Sequence, residues 1–439
     1  MKTEYDRLIE DAKKVLQGNW IGYGTKPAPD LYPHQWSWDS AFIAIGYSHY
    51  DMDKAKQELR SYFKGQWQNG MLPHMVFNPK AHDYKPGPEF WRTDKSPDAS
   101  RDPLTSGMIQ PPIHATAVLH IWEYAQDKDD ALDFLKEMFP KLKFWHQYLY
   151  THRNPDNDGL IYIFHPWESG QDNSPIWDSS FQRIELKSED IPDYERVDTE
   201  IADPEDRPKK WTYDRYAYLV KLAHENNYDD KKIREKSPFL IKDVLLNTIT
   251  VKANRDLAKI AQLIGEDGTQ YSEWADLTSR SVDEKLWDED HETYFDYDMK
   301  TGELIHSHVA AGFTPIFAKI PSQERAEKIC RKLNTRAFCK LDDNCLAVPS
   351  YDKYEPGFSP HRYWRGPIWI NMNWLLYHGL RDYGLDDYAD NVKRTIMGLP
   401  NQCGIYEYYD PEAGRGHGAS HFSWTAALLI DLYYEELHK

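Results

Sequence analysis

Apolar residues spaced three and four apart recur along nearly the whole chain, and this periodicity constrains the fold more than any other feature. It runs through 5–17, 53–68, 115–126, 131–150, 213–225, 241–264, 271–286, 322–333, 368–383 and 424–437. Each stretch predicts a helix that buries one stripe of its surface. Strand-like alternation is scarce, with 160–164 and 293–297 the best short candidates. The chain is therefore read as mainly α.

The predicted helices are of two kinds. One kind is charged and amphipathic, as in 53–68, 322–333 and 386–397. The other opens on an aromatic or Pro-marked polar motif and then turns apolar. Its openings are Trp36-Ser37-Trp38-Asp39, Gln110-Pro111-Pro112-Ile113-His114, Tyr213-Asp214-Arg215-Tyr216, Tyr363-Trp364-Arg365-Gly366-Pro367 and Phe422-Ser423-Trp424-Thr425. An outer helix needs a solvated face, whereas an inner helix is buried all round and shows chemistry only at its N-terminal mouth. Such pairs, repeated about six times, describe an α/α toroid. No bland linker divides residues 1–439, so a single domain is expected. The long non-periodic stretches near 78–106 and 187–210 are rich in Pro, Asp and aromatics, and are read as loop insertions capping the active-site mouth.

Charge and motif content remove several function classes. With 71 acidic against 53 basic residues and a formal charge of −18, the chain lacks the basic footprint of a nucleic-acid or anionic-membrane partner. No apolar run approaches the roughly 20 residues of a membrane span. The opening Met1-Lys2-Thr3-Glu4-Tyr5-Asp6 has no apolar signal core, and four Cys without a CxxC pair suit a reducing cytoplasm. HExxH, an Asp-rich calcium loop, GxGxxG and a Walker loop are all missing, so neither metal nor cofactor is expected. A homo-oligomer is left open. What stands out is aromatic content: 16 Trp and 30 Tyr in a polar chain suit stacking on sugar rings as well as a core.

Two acids stand in aromatic surroundings. Asp172 lies in Trp167-Glu168-Ser169-Gly170-Gln171-Asp172-Asn173-Ser174-Pro175, bracketed by Gly170 and Pro175, a fixed loop rather than a regular element. Alone, it reads equally as a surface turn or as an acid in a pocket. Glu407 lies in Gly404-Ile405-Tyr406-Glu407-Tyr408-Tyr409-Asp410, just before the turn-forming Gly414-Arg415-Gly416-His417-Gly418. As a pair they suggest carboxyl groups on either side of a glycosidic bond. Asp39 reads either as a helix-start acid or as a grip on sugar hydroxyls. His74 and His114 lie beside turns and read as structural or as ligands.

Taken in order, these motifs resemble glycoside hydrolase family 63 and, more distantly, the family 37 trehalases. The compact length and Glu407-Tyr408-Tyr409 are most similar to that family's bacterial mannosylglycerate and glucosylglycerate hydrolases. The resemblance spans about 32–425. It implies an (α/α)6 barrel and an inverting α-glycosidase acting on a small glycoside, glucosylglycerate or mannosylglycerate. By it, Asp172 is the general acid and Glu407 the general base, roughly 6.5–9.5 Å apart to admit a water. It places Tyr32, Trp36, Trp38, Asp39, Gln110, Trp364 and Trp369 around the substrate, with Trp167 as a wall; His74 is a further candidate substrate contact. Arg207, Tyr213 and Tyr84 match the family's glycerate contacts. Gln171 departs from the pattern, standing where an apolar residue is expected. Other readings are an α-glucosidase on a neutral disaccharide or short oligosaccharide, an epimerase using His74, His114, His361 or His421, and a non-catalytic sugar-binding protein.

Overall fold

The computed structural model describes residues 4–343 and 345–437. Its longer helices are α1 (Asp6–Asn19), α2 (Ser37–Tyr47), α3 (Met52–Tyr62), α4 (His114–Tyr124), α5 (Lys128–His152), α6 (Lys210–Glu225), α7 (Val244–Leu263) and α8 (Thr269–Lys285). They continue as α9 (Gln323–Leu333), α10 (Ile370–Asp382), α11 (Asp386–Cys403) and α12 (Ser423–Leu437). The molecule is mainly helical. No described helix is long and apolar enough to cross a membrane.

The two helix kinds take different places. Every residue of α2 is buried, whereas α9 buries only Ala326, Ile329 and Leu333. Helix α2 packs on α4, α4 on α7, and α7 on a 3-10 segment, Ala310–Ala318. That segment packs on α10, α10 on α12, and α12 returns to α2, so the inner elements close a circuit. Outside it, α1 lies on α12, α3 on α2, α5 on α4 and α7, α8 on α7, and α11 on α10. The buried apolar residues form one cluster running from Leu8 to Leu432.

Side chains set the helix starts. Asp127 accepts the Asp129 and Asp130 amides at 3.1 and 3.0 Å and so begins α5. Asp243 likewise accepts the Leu246 amide and begins α7. That cap is why the periodic stretch 241–264 does not start as helix. Ile241–Lys242 is a strand in a four-stranded sheet, beside Tyr162–Ile163 and Tyr297–Asp298. The expected strand 293–297 is broken in two, because the Asp296 carboxylate turns to accept the Val244 amide at 2.7 Å. The expectation of reduced thiols fails for one pair. Cys339 and Cys345 have a Cα separation of 5.2 Å, within disulfide range, and the two are joined.

Candidate active site

The N-terminal ends of α2, α4, α6 and α12 open on one cavity, lined by Trp38, Asp39, Gln110, Tyr213, Tyr216, Phe422 and Trp424. The loops and short strands between the helices add Tyr32, Trp36, His74, Tyr84, Trp167, Asp172, Arg207, Trp364 and Glu407. Motifs far apart in sequence thus reach one place because the inner helices α2, α4 and α12 and the helix α6 turn their N-terminal ends toward it.

The loop bearing Asp172 is held from behind. It leaves the strand Tyr162–Ile163, makes a 3-10 turn over Pro166–Ser169, and reverses at Gly170 with φ 74°. A Cβ at Gly170 would lie 2.5 Å from the Trp38 ring, so only glycine lets this loop pass so close to the pocket wall. Glu168 is the anchor. Fully buried, it accepts the Phe164 amide at 2.8 Å and the Ile109 amide at 3.2 Å. Arg153 grips the same carboxylate through both terminal nitrogens at 3.0 and 2.8 Å, while its Nε–H goes to Asp230 at 2.6 Å. On the pocket side, Tyr216 donates its hydroxyl proton to the Asp172 carbonyl, and the Trp177 indole donates to the Gln171 carbonyl at 2.8 Å. Gln171, the departure from the expected apolar residue, is buried, and its side-chain oxygen makes no hydrogen bond among the described residues.

Burial pushes the Asp172 carboxyl up to about 7, against the pull of Arg207, with the Glu407 and Asp198 charges adding to the rise. Glu407 lies inside the strand Tyr406–Tyr409, which pairs antiparallel with Gly416–Ser420. It accepts the Tyr32 hydroxyl at 2.9 Å and the Ala419 amide at 3.0 Å. Burial raises its pKa, and Arg207 and these donors oppose the rise. The partner strand is irregular between His417 and Ser420, with Gly418 at φ 68°. A Cβ there would sit 2.4 Å from Glu407 Oε2. Asp39 is the third acid. Burial holds its pKa well above the usual range, and Glu407 and Asp172 add to the effect. The cavity can thus keep one carboxylic acid protonated near neutral pH and hold another within reach of hydrogen-bond donors.

Aromatic faces form the walls. Tyr32 meets Trp36 edge-on at 5.4 Å, Trp36 meets Tyr84 at 5.7 Å, and Trp167 stacks toward His74 at 6.2 Å. Gln110 accepts the Trp38 amide at 3.3 Å and so fixes the first turn of α2. Trp369 is corrected: it does not line the cavity. It lies flat behind Trp364, centroids 3.9 Å apart, with its indole N–H bound to the Tyr363 carbonyl at 3.1 Å. Arg207 is 5 % exposed, stacks over the Tyr363 ring at 4.3 Å, and gives its Nε–H to Asp198 at 3.2 Å. Its Nη1 is buried and has no hydrogen-bond partner among the described residues.

Six further residues line the cavity: Tyr216, Tyr363, Phe422 and Trp424 stand in motifs read as helix openings without being singled out as contacts, and Asp198 and Trp91 lie outside those motifs. Tyr216 was within reach, since it lies one turn after Tyr213 on the same face of α6. Tyr363 opens an aromatic motif, but its left-handed backbone at φ 43° was not legible from its residue type. Of the histidines offered for epimerase chemistry, His74 and His114 are poor bases here. Burial lowers both His74 and His114 to about 3; His114 is bonded to Ser37 and His74 to Ser106. His361 is bonded to Asp206 and His421 is exposed, and neither lines the cavity.

Comparison with known proteins is decisive on family. The model of the mannosylglycerate hydrolase MGH1-like glycoside hydrolase domain matches residues 32–425. The chain belongs to that family. As a glycoside hydrolase it is 46 % identical to the mannosylglycerate hydrolase of Rubrobacter radiotolerans, over 98 % of this chain and 97 % of that one. It is 34 % identical to the glucosylglycerate hydrolase of Mycolicibacterium hassiacum, over 97 % of each. The family 63 mannosylglycerate hydrolase of Thermus thermophilus, solved with Tris and D-glycerate, superposes with a TM-score of 0.91. That pair is 42 % identical, over 97 % of this glycoside hydrolase and all of the other. Neutral trehalase Nth1 of Saccharomyces cerevisiae, 17 % identical with a TM-score of 0.58, shares the fold.

Proposed function

We propose that this glycoside hydrolase cleaves an α-linked sugar from glycerate, glucosylglycerate or mannosylglycerate, with inversion at the anomeric carbon. The observation that carries the charged aglycone is Arg207. A buried guanidinium nitrogen without a partner among the described residues, in the same cavity as two acids, suits a planar carboxylate ligand. A neutral disaccharide would offer that nitrogen only hydroxyl or ether oxygens, without the opposite charge. The relatives named for mannosylglycerate and glucosylglycerate support the same reading.

In this reading the closed circuit of inner elements is the inner ring of an (α/α)6 toroid forming a single catalytic domain. Asp172, held protonated by its buried setting, gives its proton to the glycosidic oxygen as the bond to the anomeric carbon breaks. Glu407 takes a proton from a water on the opposite face, and that water's oxygen bonds to the same carbon. Asp39 and Gln110 hold sugar hydroxyls between the Trp38 and Trp364 faces, with Tyr32, Trp36, Tyr84, His74 and Trp167 shaping the rest of the pocket. Arg207 and Tyr213 orient the glycerate.

The test is a substrate panel of glucosylglycerate, mannosylglycerate, trehalose, kojibiose and nigerose, with NMR of the freshly released sugar. Turnover of a glycerate substrate with prompt release of the β-anomer is expected. Prompt α-anomer overturns inversion, and a preference for the neutral sugars overturns the role of Arg207.

A further inference from the structure

Far from the catalytic mouth, the inner helices bring a second group of side chains together. His49 lies two residues beyond α2, His120 in the second half of α4, Trp374 and His378 on α10, and Asp431 in the middle of α12. Asp431 is buried, and among the described residues no Lys or Arg lies within salt-bridge reach of it. Its Oδ1 meets His49 Nε2 at 2.8 Å and His120 Nε2 at 2.9 Å. Its Oδ2 accepts the Trp374 indole N–H at 2.7 Å and lies 3.8 Å from His378 Nε2.

The Ser48 hydroxyl lies 2.7 Å from the Ile45 carbonyl and 3.0 Å from His120 Nδ1, which holds that ring with Nε2 turned to the carboxylate. Among the described residues only imidazoles and an indole N–H face the Asp431 charge. The C-terminal ends of α2 and α4 add partial negative charge to the same region.

We infer that His49, His120 and Asp431 form a binding site for a divalent transition metal ion of the Zn2+ type, with His378 completing the set. Two imidazoles and a carboxylate are a zinc donor set. The three ligand atoms already lie within 4.8 Å of one another, and on a tetrahedral Zn2+ they would be about 3.3–3.5 Å apart. His378 Nε2 is buried and makes no hydrogen bond among the described residues, which leaves its lone pair for the fourth position. Ser48, 3.0 Å behind His120 Nδ1, holds the ring so that Nε2 faces the site, as outer-shell partners of metal-bound imidazoles do. The ion would tie α2, α4, α10 and α12 together at the end remote from the chemistry. A second cluster, Asp288, His291 and His306, is more open: its imidazoles are 40 % and 49 % exposed, and water can serve them.

The full-length protein, dialysed against a chelator, would be titrated with Zn2+ by calorimetry and with Co2+ by its visible absorption. The expected result is one saturable equivalent with four-coordinate Co2+ absorption and a higher melting temperature for the loaded protein. His120→Gln and His49→Gln should each weaken binding on the order of 100-fold, and Ser48→Ala on the order of tenfold. Glycoside hydrolysis, measured alongside, reports that each variant is folded, and Ser48→Ala serves if the His variants are not. No saturable binding by active protein overturns the site, as does a pH titration alone with no metal effect. Binding that is lost in His291→Gln but kept in His120→Gln assigns the ion to the open cluster and also overturns it.

Discussion

The loop from Phe164 to Asn173 carries two acids four residues apart, Glu168 fully buried and Asp172 half-buried at the cavity, and they are kept in opposite ways. Glu168 is surrounded: two backbone amides and a bidentate Arg153 satisfy its carboxylate. Asp172 faces a cavity it shares with three other acids, Asp39, Asp198 and Glu407, and the cation that opposes its rise, Arg207, is already engaged by Asp198. The first acid is a strut, because a buried charge that is fully paired fixes the backbone around it. The second holds its proton to about 7 because burial outweighs the help it gets. Burial alone does not mark a catalytic acid; burial without adequate pairing does.

Removing either acid should break the contrast in its own way. Asp172→Asn should lower kcat/KM on a glycerate substrate by about 10²–10⁴-fold, the usual range for a lost general acid, with the circular dichroism spectrum unchanged. Glu168→Gln should act first on the fold. It strands part of the Arg153 charge, at a cost of about 3–5 kcal/mol, seen as a fall in the urea midpoint before any effect specific to substrate. Arg207→Ala should reduce kcat/KM for glycerate substrates by about 10–100-fold and spare neutral glycosides, which a substrate panel measures.

The same contrast predicts the pH behaviour. kcat/KM should fall as pH rises through about 7, where Asp172 loses its proton, and fall on the acid side as Glu407 gains one. For stability the sign is opposite to that of an ordinary paired carboxylate. Asp172 has a folded pKa of about 7 against 3.8 for a free group, so the unfolded chain ionises first. Stability is lost as pH rises between those values. Asp172→Asn should therefore melt higher than the parent at pH 8 and no higher at pH 4, as read by calorimetry. The smallest effect should come from Gly418→Ala. Its Cβ would press on Glu407 and lower kcat several-fold, with substrate affinity nearly kept.

What could be read from the sequence were local patterns with a fixed physical cause. Helix periodicity, the Gly–Pro bracket around Asp172 and the aromatic openings of the inner helices all lie within a few residues. The rest depends on which way side chains turn after distant segments meet. Trp364 and Trp369 look alike in sequence, yet one faces the cavity and the other lies flat behind it. Tyr363 enters the site through a left-handed backbone that its residue type does not announce. The inner 3-10 segment Ala310–Ala318 holds Pro315 and lacks a helical stripe, so periodicity passes over it. Glu407 was legible as an acid among aromatics, but the bulged partner strand that gives it the Ala419 amide was not.

The division of labour between the acids is tested most directly with a leaving group that needs no proton. A dinitrophenyl α-glycoside of the preferred sugar departs as a stable phenolate, so kcat/KM of Asp172→Asn is compared on it and on the glycerate substrate. The account predicts a loss of two or more orders of magnitude on the glycerate substrate and less than about tenfold on the activated one. Equal losses on both would contradict the assignment of Asp172 as the proton donor.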